Sequence, residues 1–251
     1  MASFYAEPVY DLKELARHNL HMHTVYSRCG NQEMLPEAIV RAAERAGLAT
    51  IAITDHFHDP DFDDCFLAQV RTLTRHIAAI PTKVRVIIGG ELSSYGPGHY
   101  GDRPETNALL PLRLYATNHW REDVWDFPED KSPRGYAKMQ VENIRALMLS
   151  GRADCIAHPL IGTKIPGCEP HDVTRALTDN EIGEIGELSH QTRTALELNL
   201  VAVRGDPELC KRIWHLGKEA GAYFHLGTDA HRLENVDTAP FLALLQSILG
   251  E

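Results

Sequence analysis

The chain of 251 residues contains little of what marks a secreted or membrane-bound protein. Its five cysteines include no Cys-x-x-Cys pair, which argues against a disulfide framework and favours reduced thiols. No apolar stretch approaches the ~20 residues that a membrane helix requires. Residues 1–20 also lack the basic start and apolar centre of a signal peptide. We therefore expect a soluble cytoplasmic protein that does not associate with membranes.

A surplus of basic charge is absent as well. The chain has 25 Lys and Arg residues against 35 Asp and Glu residues, a formal net charge of -10. Duplex nucleic acid and anionic membranes both favour a basic surface, so neither is an expected partner. A small anionic substrate remains compatible with this charge, because local cations or metal ions can reverse the potential inside a pocket. No pattern in the sequence indicates an oligomeric state.

Apolar runs of strand length alternate with segments in which apolar residues recur at helical spacing. Strand-like runs end at residues 21–23, 51–54, 84–91, 112–118, 154–158, 195–199 and 222–227. Helices are predicted over residues 36–46, 62–80, 136–149, 179–192 and 207–220. Such alternation implies parallel strands in a barrel or a doubly wound sheet, and about seven units favour the barrel. No linker or repeat divides the sequence, so we expect one domain over residues 1–251.

Histidine and carboxylate side chains recur where the predicted strands end. Two pairs are spaced by one residue, so each pair points to one face of an extended strand. The set comprises His21, His23, His56, Glu91, His119, His158, Asp229 and His231. Zinc, iron and manganese accept imidazole and carboxylate ligands, and two or three ions can share a carboxylate. The pattern predicts a metal centre assembled from most strands of the fold.

The ordered motifs resemble the PHP (polymerase and histidinol phosphatase) superfamily of metal-dependent phosphoesterases. The resemblance covers nearly the whole chain, and each motif alone is weak whereas the ordered set is specific. It runs from His21-Met22-His23-Thr24-Val25-Tyr26-Ser27 through Ile53-Thr54-Asp55-His56, Gly90-Glu91, Asn118-His119, His158-Pro159 and Leu196-Glu197-Leu198-Asn199 to Gly227-Thr228-Asp229-Ala230-His231. The resemblance implies a distorted (β/α)7 TIM-like barrel, which agrees with the strand count.

The resemblance also implies a bi- or trinuclear site of divalent zinc, iron or manganese. It assigns a first ion to His21, His23, Glu91 and Asp229, a second to Glu91, His119 and His158, and a third to His56 and His231. Many members complete the third site with a further histidine, where this chain has Cys29. A thiolate is a competent zinc ligand, so we expect Cys29 to bind, with a binuclear site as the alternative. Asn19 replaces the family's usual Asp, and we expect it to orient His21.

These assignments predict hydrolysis of a small phosphomonoester by a hydroxide that bridges the metal ions. Asp229 is the candidate proton acceptor, and His231 is the candidate donor to the leaving group. Arg204, which follows the Glu-x-Asn motif, is expected to bind phosphate because its planar fork donates two hydrogen bonds. Arg28 and Lys164 are weaker candidates for the same role.

Histidinol phosphate is the first specific substrate candidate, because an acidic connection over residues 119–135 suits a substrate that carries an amine. This connection and residues 92–111 are too long for simple turns and are typical of loops around substrate pockets. Their candidate pocket residues are His99, Tyr100, Trp120 and Trp125. Two alternatives stay open: a metal-dependent hydrolase or lyase of a non-phosphate bond, and a non-catalytic PHP module.

Overall fold

A computed structural model describes residues 4–57, 63–119, 123–163 and 165–251. The strands within these residues are β1 (His18–Asn19), β2 (Thr50–Ile53), β3 (His56–Phe57), β4 (Arg85–Ile88), β5 (Gly90–Gly96), β6 (His99–Tyr100), β7 (Arg113–Ala116), β8 (Cys155–Ala157), β9 (Ala195–Asn199) and β10 (Phe224–Gly227). The helices are α1 (Leu12–Leu15), α2 (Pro36–Arg45), α3 (Asp63–Ala78), α4 (Pro104–Leu109), α5 (Pro133–Leu149), α6 (Pro170–Arg175), α7 (Asp179–Thr192), α8 (Leu200–Gly205), α9 (Pro207–Glu219) and α10 (Ala239–Leu249). None of the helices in these ranges is long and apolar enough to span a bilayer.

The strands close into a distorted (β/α)7 barrel, as predicted. One sheet has the order β1-β2-β4 and the other the order β10-β9-β8-β7-β5-β3, with parallel pairing throughout and β6 antiparallel beside β5. The chain passes directly from β2 towards β3 and from β4 into β5, which joins the sheets on one side. The barrel wall thus has seven segments, which we call staves: β1, β2 with β3, β4 with β5, β7, β8, β9 and β10. On the other side the N–H of Leu20 donates to the carbonyl oxygen of Leu226 over 2.9 Å, and the N–H of His23 donates to that of Ala230 over 3.0 Å.

The two faces of β7 and β8 differ in side-chain size. Alternate residues such as Leu114, Ala116 and Ala157 belong to a small apolar cluster inside the barrel. Their neighbours Tyr115 and Ile156 belong to the larger cluster that packs the strands against the surrounding helices. Small residues inside the barrel allow the staves to approach closely, and the polar ligand candidates then cover the carboxyl end of this apolar interior.

The predicted helices over 36–46, 179–192 and 207–220 correspond to α2, α7 and α9 with nearly the same bounds. The sequence did not predict α10, because its apolar residues surround the helix rather than forming one stripe. The expected loop over residues 92–111 is wrong in part. Strand β5 continues to Gly96, pairs with β6, and is followed by α4. Small polar residues, Ser93 and Ser94, hide this strand from a search for apolar runs.

A buried ion pair connects β7 and β8 at the amino-terminal end of the barrel. The Nε of Arg113 donates to Oδ2 of Asp154 over 2.9 Å, and its Nη2 donates to Oδ1 over 2.7 Å. The backbone N–H of Arg113 also donates to the same carboxylate over 2.9 Å. The two side chains are only 9% and 3% exposed, so neither charge can be solvated if its partner is removed.

The substitution Asp154→Ala is expected to lower the free energy of unfolding by ~3–5 kcal/mol, because it leaves a buried guanidinium without its counter-charge. Urea denaturation measures this loss. The control is Glu184→Ala, which removes a pair with Arg145 in which both side chains are 53% exposed. This control should change stability by about 0.5 kcal/mol or less. Equal losses for the two variants would contradict the structural role of the buried pair.

Candidate metal centre

The carboxylate of Glu91 lies at the centre of the predicted ligands. It stands near the start of β5 and is 1% exposed. Its Oε2 is 2.8 Å from Nδ1 of His56, 3.2 Å from Nε2 of His21 and 3.4 Å from Nε2 of His23. Two staves therefore direct three imidazole groups to one carboxylate oxygen.

The second oxygen of Glu91 faces a different pair of histidines. Its Oε1 is 3.0 Å from Nε2 of His158, which follows β8, and 3.2 Å from Nε2 of His119, which follows β7. Since the two oxygens of one carboxylate can bind two different metal ions, this arrangement has the form of a bridging ligand. The structure brings both predicted groups together around it.

Asp229 completes the first predicted group. Its Oδ1 is 3.0 Å from Nε2 of His23 and 3.6 Å from Nε2 of His21, and the two imidazole nitrogens are 3.2 Å apart. The ligating atoms of these three residues lie within 4.8 Å of one another. Oxygen and nitrogen atoms this close together form a donor set that fits a divalent cation.

Two residues of the site have backbones in the left-handed region. Asp229 has φ of +53° and His158 has φ of +31°, values that are uncommon for residues other than glycine. Hydrogen bonds hold both residues in place. The N–H of His158 donates to Oε2 of Glu197 over 2.8 Å, and Nδ1 of His231 lies 2.7 Å from the carbonyl oxygen of Asp229.

Glu197, on β9, positions His21 and was not among the predicted site residues. Its Oε1 is 2.8 Å from Nδ1 of His21, and both groups are buried. A carboxylate that accepts the Nδ1 proton of a histidine leaves the lone pair on Nε2 for a metal ion. Gly227 makes room for this contact, because a Cβ there would collide with the Glu197 carboxylate. The signal was present in the Glu-x-Asn motif, but its partner lies 176 positions earlier in the sequence.

The prediction that Asn19 orients His21 is wrong. The Nδ2 of Asn19 donates to Oγ1 of Thr228 over 2.7 Å, and its Oδ1 accepts the N–H of Thr228 over 3.1 Å. Asn19 lies two residues before His21 on the short first stave, and it fixes the segment that leads to Asp229. Its contribution to the ligands is therefore to hold two chain segments in register.

Proton binding compensates the negative charge in the metal-free chain. Burial lowers the pKa of His21, but the carboxylates of Glu197 and Asp229 outweigh this effect and hold that pKa well above its ordinary value. Burial likewise lowers the pKa of His56, but Glu91 raises it to about 10. Burial raises the pKa of Glu91, yet the surrounding imidazole groups hold it well below its usual range. A divalent ion would displace protons from these rings, as expected for a metal site.

Cys29 belongs to a separate group with His23, His56 and His231, whose ligating atoms lie within 4.8 Å of one another. Its Sγ is 2.9 Å from Nε2 of His231. Burial raises the pKa of the Cys29 thiol, but hydrogen bonds from His231 and His56 outweigh this effect and lower it to about 6. A thiol with this pKa is largely ionised near neutral pH, which is the form that binds metals.

The loop that carries Cys29 is anchored by Asp55, the residue before His56. The N–H and the Oγ1 of Thr24 donate to the two carboxylate oxygens of Asp55, each over 2.7 Å. The loop also turns back at Gly30, where a Cβ would collide with the carbonyl oxygen of Thr24. These contacts tie the first stave to the second and set the position of the thiol.

The predicted substrate residues lie around the same end of the barrel. Arg28 is in the loop beside Cys29, and Arg204 is in the last turn of α8, which follows β9 directly. Both side chains are exposed, and neither forms an ion pair with another residue of the described ranges. Lys164 lies outside the described residues, so the structure does not place it.

The candidate pocket residues have varied surroundings. Trp125 is 6% exposed, and its Nε1 donates to the carbonyl oxygen of His119 over 2.7 Å, so it supports a predicted ligand from behind. Tyr100 stacks under the guanidinium of Arg152, and Nδ1 of His99 is 3.2 Å from a carboxylate oxygen of Asp126. The fourth candidate, Trp120, lies outside the described residues.

The family model of the PHP domain matches residues 19–156, more than half of the chain. No curated protein sequence matches. Among solved structures, an uncharacterized protein aligns with a TM-score of 0.43 and 13% identity over 93% of this chain and 69% of that chain. The apo form of the homocysteine methyltransferase MmuM from Escherichia coli aligns with a TM-score of 0.39 and 12% identity over 92% of this chain and 96% of its own.

The protein belongs to the PHP domain family. Members of this family are typically hydrolases that bind divalent metal ions, and the side-chain groups described above fit that property. The two structural alignments have TM-scores below 0.5, and the barrel fold is therefore assigned from the hydrogen bonds between the strands and not from these alignments.

The substitution Glu197→Gln is expected to weaken zinc binding by about 10–100-fold, because loss of a carboxylate behind a ligating histidine has effects of this size. Gln keeps the length of the side chain but removes the charge that fixes the His21 tautomer. Competition with a chelator of known affinity measures the change. The matched control is Glu184→Gln, on the exposed face of α7. Unchanged zinc affinity in Glu197→Gln would exclude this positioning role.

Proposed function

We propose that the protein is a phosphomonoesterase that uses two divalent metal ions bridged by Glu91. The observation that carries the proposal is the position of this carboxylate, whose two oxygens face separate groups of imidazoles. One ion is assigned to His21, His23, Asp229 and Glu91, and the other to Glu91, His119 and His158. Zinc, iron and manganese all accept such nitrogen and oxygen ligands.

When bound, the two ions would activate a water molecule and neutralise charge that develops on the phosphoryl oxygens. Asp229 is the proton acceptor, because its carboxylate belongs to the first group and its side chain is still 17% exposed. His231 has a side chain that is 36% exposed, at the mouth of the site. In a two-ion form of the centre this ring donates a proton to the leaving group.

The substrate class follows from the charges around the mouth of the barrel. Arg204 and Arg28 are exposed cations that can bind the phosphate oxygens which face away from the ions. The loop after His119 carries Asp126, Glu129 and Asp130, which suit a substrate with a positively charged amine. A small phosphomonoester such as histidinol phosphate meets both requirements. No nucleic acid polymer or membrane is proposed as a partner.

The first test is phosphate release from histidinol phosphate, sugar phosphates, nucleotides and an aryl phosphate, with enzyme of measured metal content. Turnover is expected for at least one substrate and should fall by about 10²–10⁴-fold in Asp229→Ala, the range for loss of a positioned acid-base group. The control is Glu234→Ala, because Glu234 has an exposed side chain and lies, like Asp229, on the connection between β10 and α10. No release from any of these substrates by the metal-loaded enzyme would contradict the proposal and favour hydrolysis of a non-phosphate bond.

The second test concerns Arg204. The substitution Arg204→Ala is expected to raise KM about tenfold or more while kcat changes little, because a hydrogen bond to a charged group contributes ~1.5–3 kcal/mol. Arg204→Lys should recover only part of the loss, since an ammonium group lacks the planar fork. The exposed Arg175 on α6 provides the control variant Arg175→Ala. A KM equal to that of the control would remove Arg204 from the substrate site.

A further inference from the structure

The group formed by His23, Cys29, His56 and His231 differs chemically from the rest of the centre. Its ligating atoms are three imidazole nitrogens and one sulfur, all within 4.8 Å of one another, and no carboxylate belongs to it. The ring of His23 lies between those of His56 and His231, with centroid distances of 4.4 Å and 4.5 Å. Because His23 is already assigned to the first ion, the sulfur of Cys29 and the rings of His56 and His231 are the donors that this group offers to a further ion.

The sulfur atom is held in place independently of any metal. Oγ of Ser27 is 3.3 Å from the Cys29 sulfur and also accepts the backbone N–H of His56 over 3.3 Å. Asp55 anchors the start of the same loop through Thr24. A thiolate fixed beside three imidazoles by its own loop differs from an isolated surface cysteine, which has no such neighbours.

Donor type determines which metals such groups prefer. Thiolate and imidazole donors favour zinc and other softer ions, whereas groups that include carboxylates also accept manganese. Zinc sites in proteins also commonly combine cysteine and histidine ligands. The groups around Glu91 and Asp229 contain carboxylate oxygens and lack sulfur.

The resemblance already implies an ion at His56 and His231. We propose that the thiolate of Cys29 completes this third metal site and makes it select zinc over manganese, so that the centre holds two kinds of ion. The thiolate of Cys29 is the group that makes the selection. In this three-ion form His231 is a ligand rather than a proton donor. The proposal concerns metal binding and does not require that the substrate be a phosphomonoester.

The experiment compares the whole protein with three variants: Cys29→Ser, Cys29→His and Cys65→Ser. Cys65 is an exposed thiol on α3 and serves as the matched control. Each protein is stripped with a chelator, equilibrated with equal excesses of zinc and manganese, separated from free metal, and analysed for both elements. A second sample is titrated with cobalt(II), because a thiolate bound to cobalt(II) gives a charge-transfer band in the near ultraviolet that imidazole does not give.

Wild type and Cys65→Ser are expected to retain about one zinc ion per chain that Cys29→Ser has lost, because removal of a ligand empties or weakens its site. Cys29→His should keep a third ion but bind zinc and manganese with less discrimination. The cobalt charge-transfer band should be present in wild type and Cys65→Ser and absent from both variants of Cys29.

Equal zinc content in wild type and Cys29→Ser would overturn the proposal, as would the absence of a charge-transfer band in cobalt-loaded wild type. Either result would leave a binuclear centre in which Cys29 is not a ligand. If either result were found in an enzyme that still releases phosphate, the third site would be excluded and the proposed function would stand. Conversely, a charge-transfer band in a protein that releases no phosphate would support the third site while contradicting the phosphomonoesterase.

Discussion

The burial of the Glu91 charge constrains most of the structure around the carboxyl end of the barrel. An ionised carboxylate that is 1% exposed requires nearby positive charge, because its desolvation costs several kcal/mol. Five imidazole rings from four staves surround it, and the rings of His21 and His56, whose pKa values are raised, supply that charge as protons in the metal-free chain. Divalent ions supply more charge in less space, which is why a site of this composition is suited to metals. Glu197 and Asp55 then restrict how the surrounding side chains and loops can move.

The barrel separates this costly polar cluster from the elements that provide stability. Parallel strands bring all their carboxyl ends to one rim, so ligands from distant parts of the sequence meet there without long excursions of the chain. The small apolar residues inside the barrel, such as Ala116 and Ala157, lie beneath the cluster. At the opposite end, Arg113 and Asp154 neutralise each other in the wall between β7 and β8. Changes at one end can therefore alter chemistry with little effect on the other.

The structure brings the predicted ligand candidates together at one rim, because their positions follow simple rules. Side chains two apart on an extended segment share a face, and the ends of parallel strands share a rim, so His21, His23 and His158 could be placed from spacing and order alone. The path of the chain in β5 and the helix α10 could not be read in this way, because neither shows a clean apolar period. Pairings between distant segments were also hidden. The partner of His21 is Glu197 rather than Asn19, and only three-dimensional packing reveals that choice.

The left-handed backbones of Asp229 and His158 have a consequence for how this protein can change over generations. A residue other than glycine held in this conformation costs ~1–3 kcal/mol, and glycine would relieve most of that cost. Glycine has no side chain, so the same exchange would delete a ligand candidate at the rim. Selection for heat resistance alone would therefore favour replacements that erase the chemistry, and the persistence of Asp229 and His158 in a heat-selected library would require a second selection for activity.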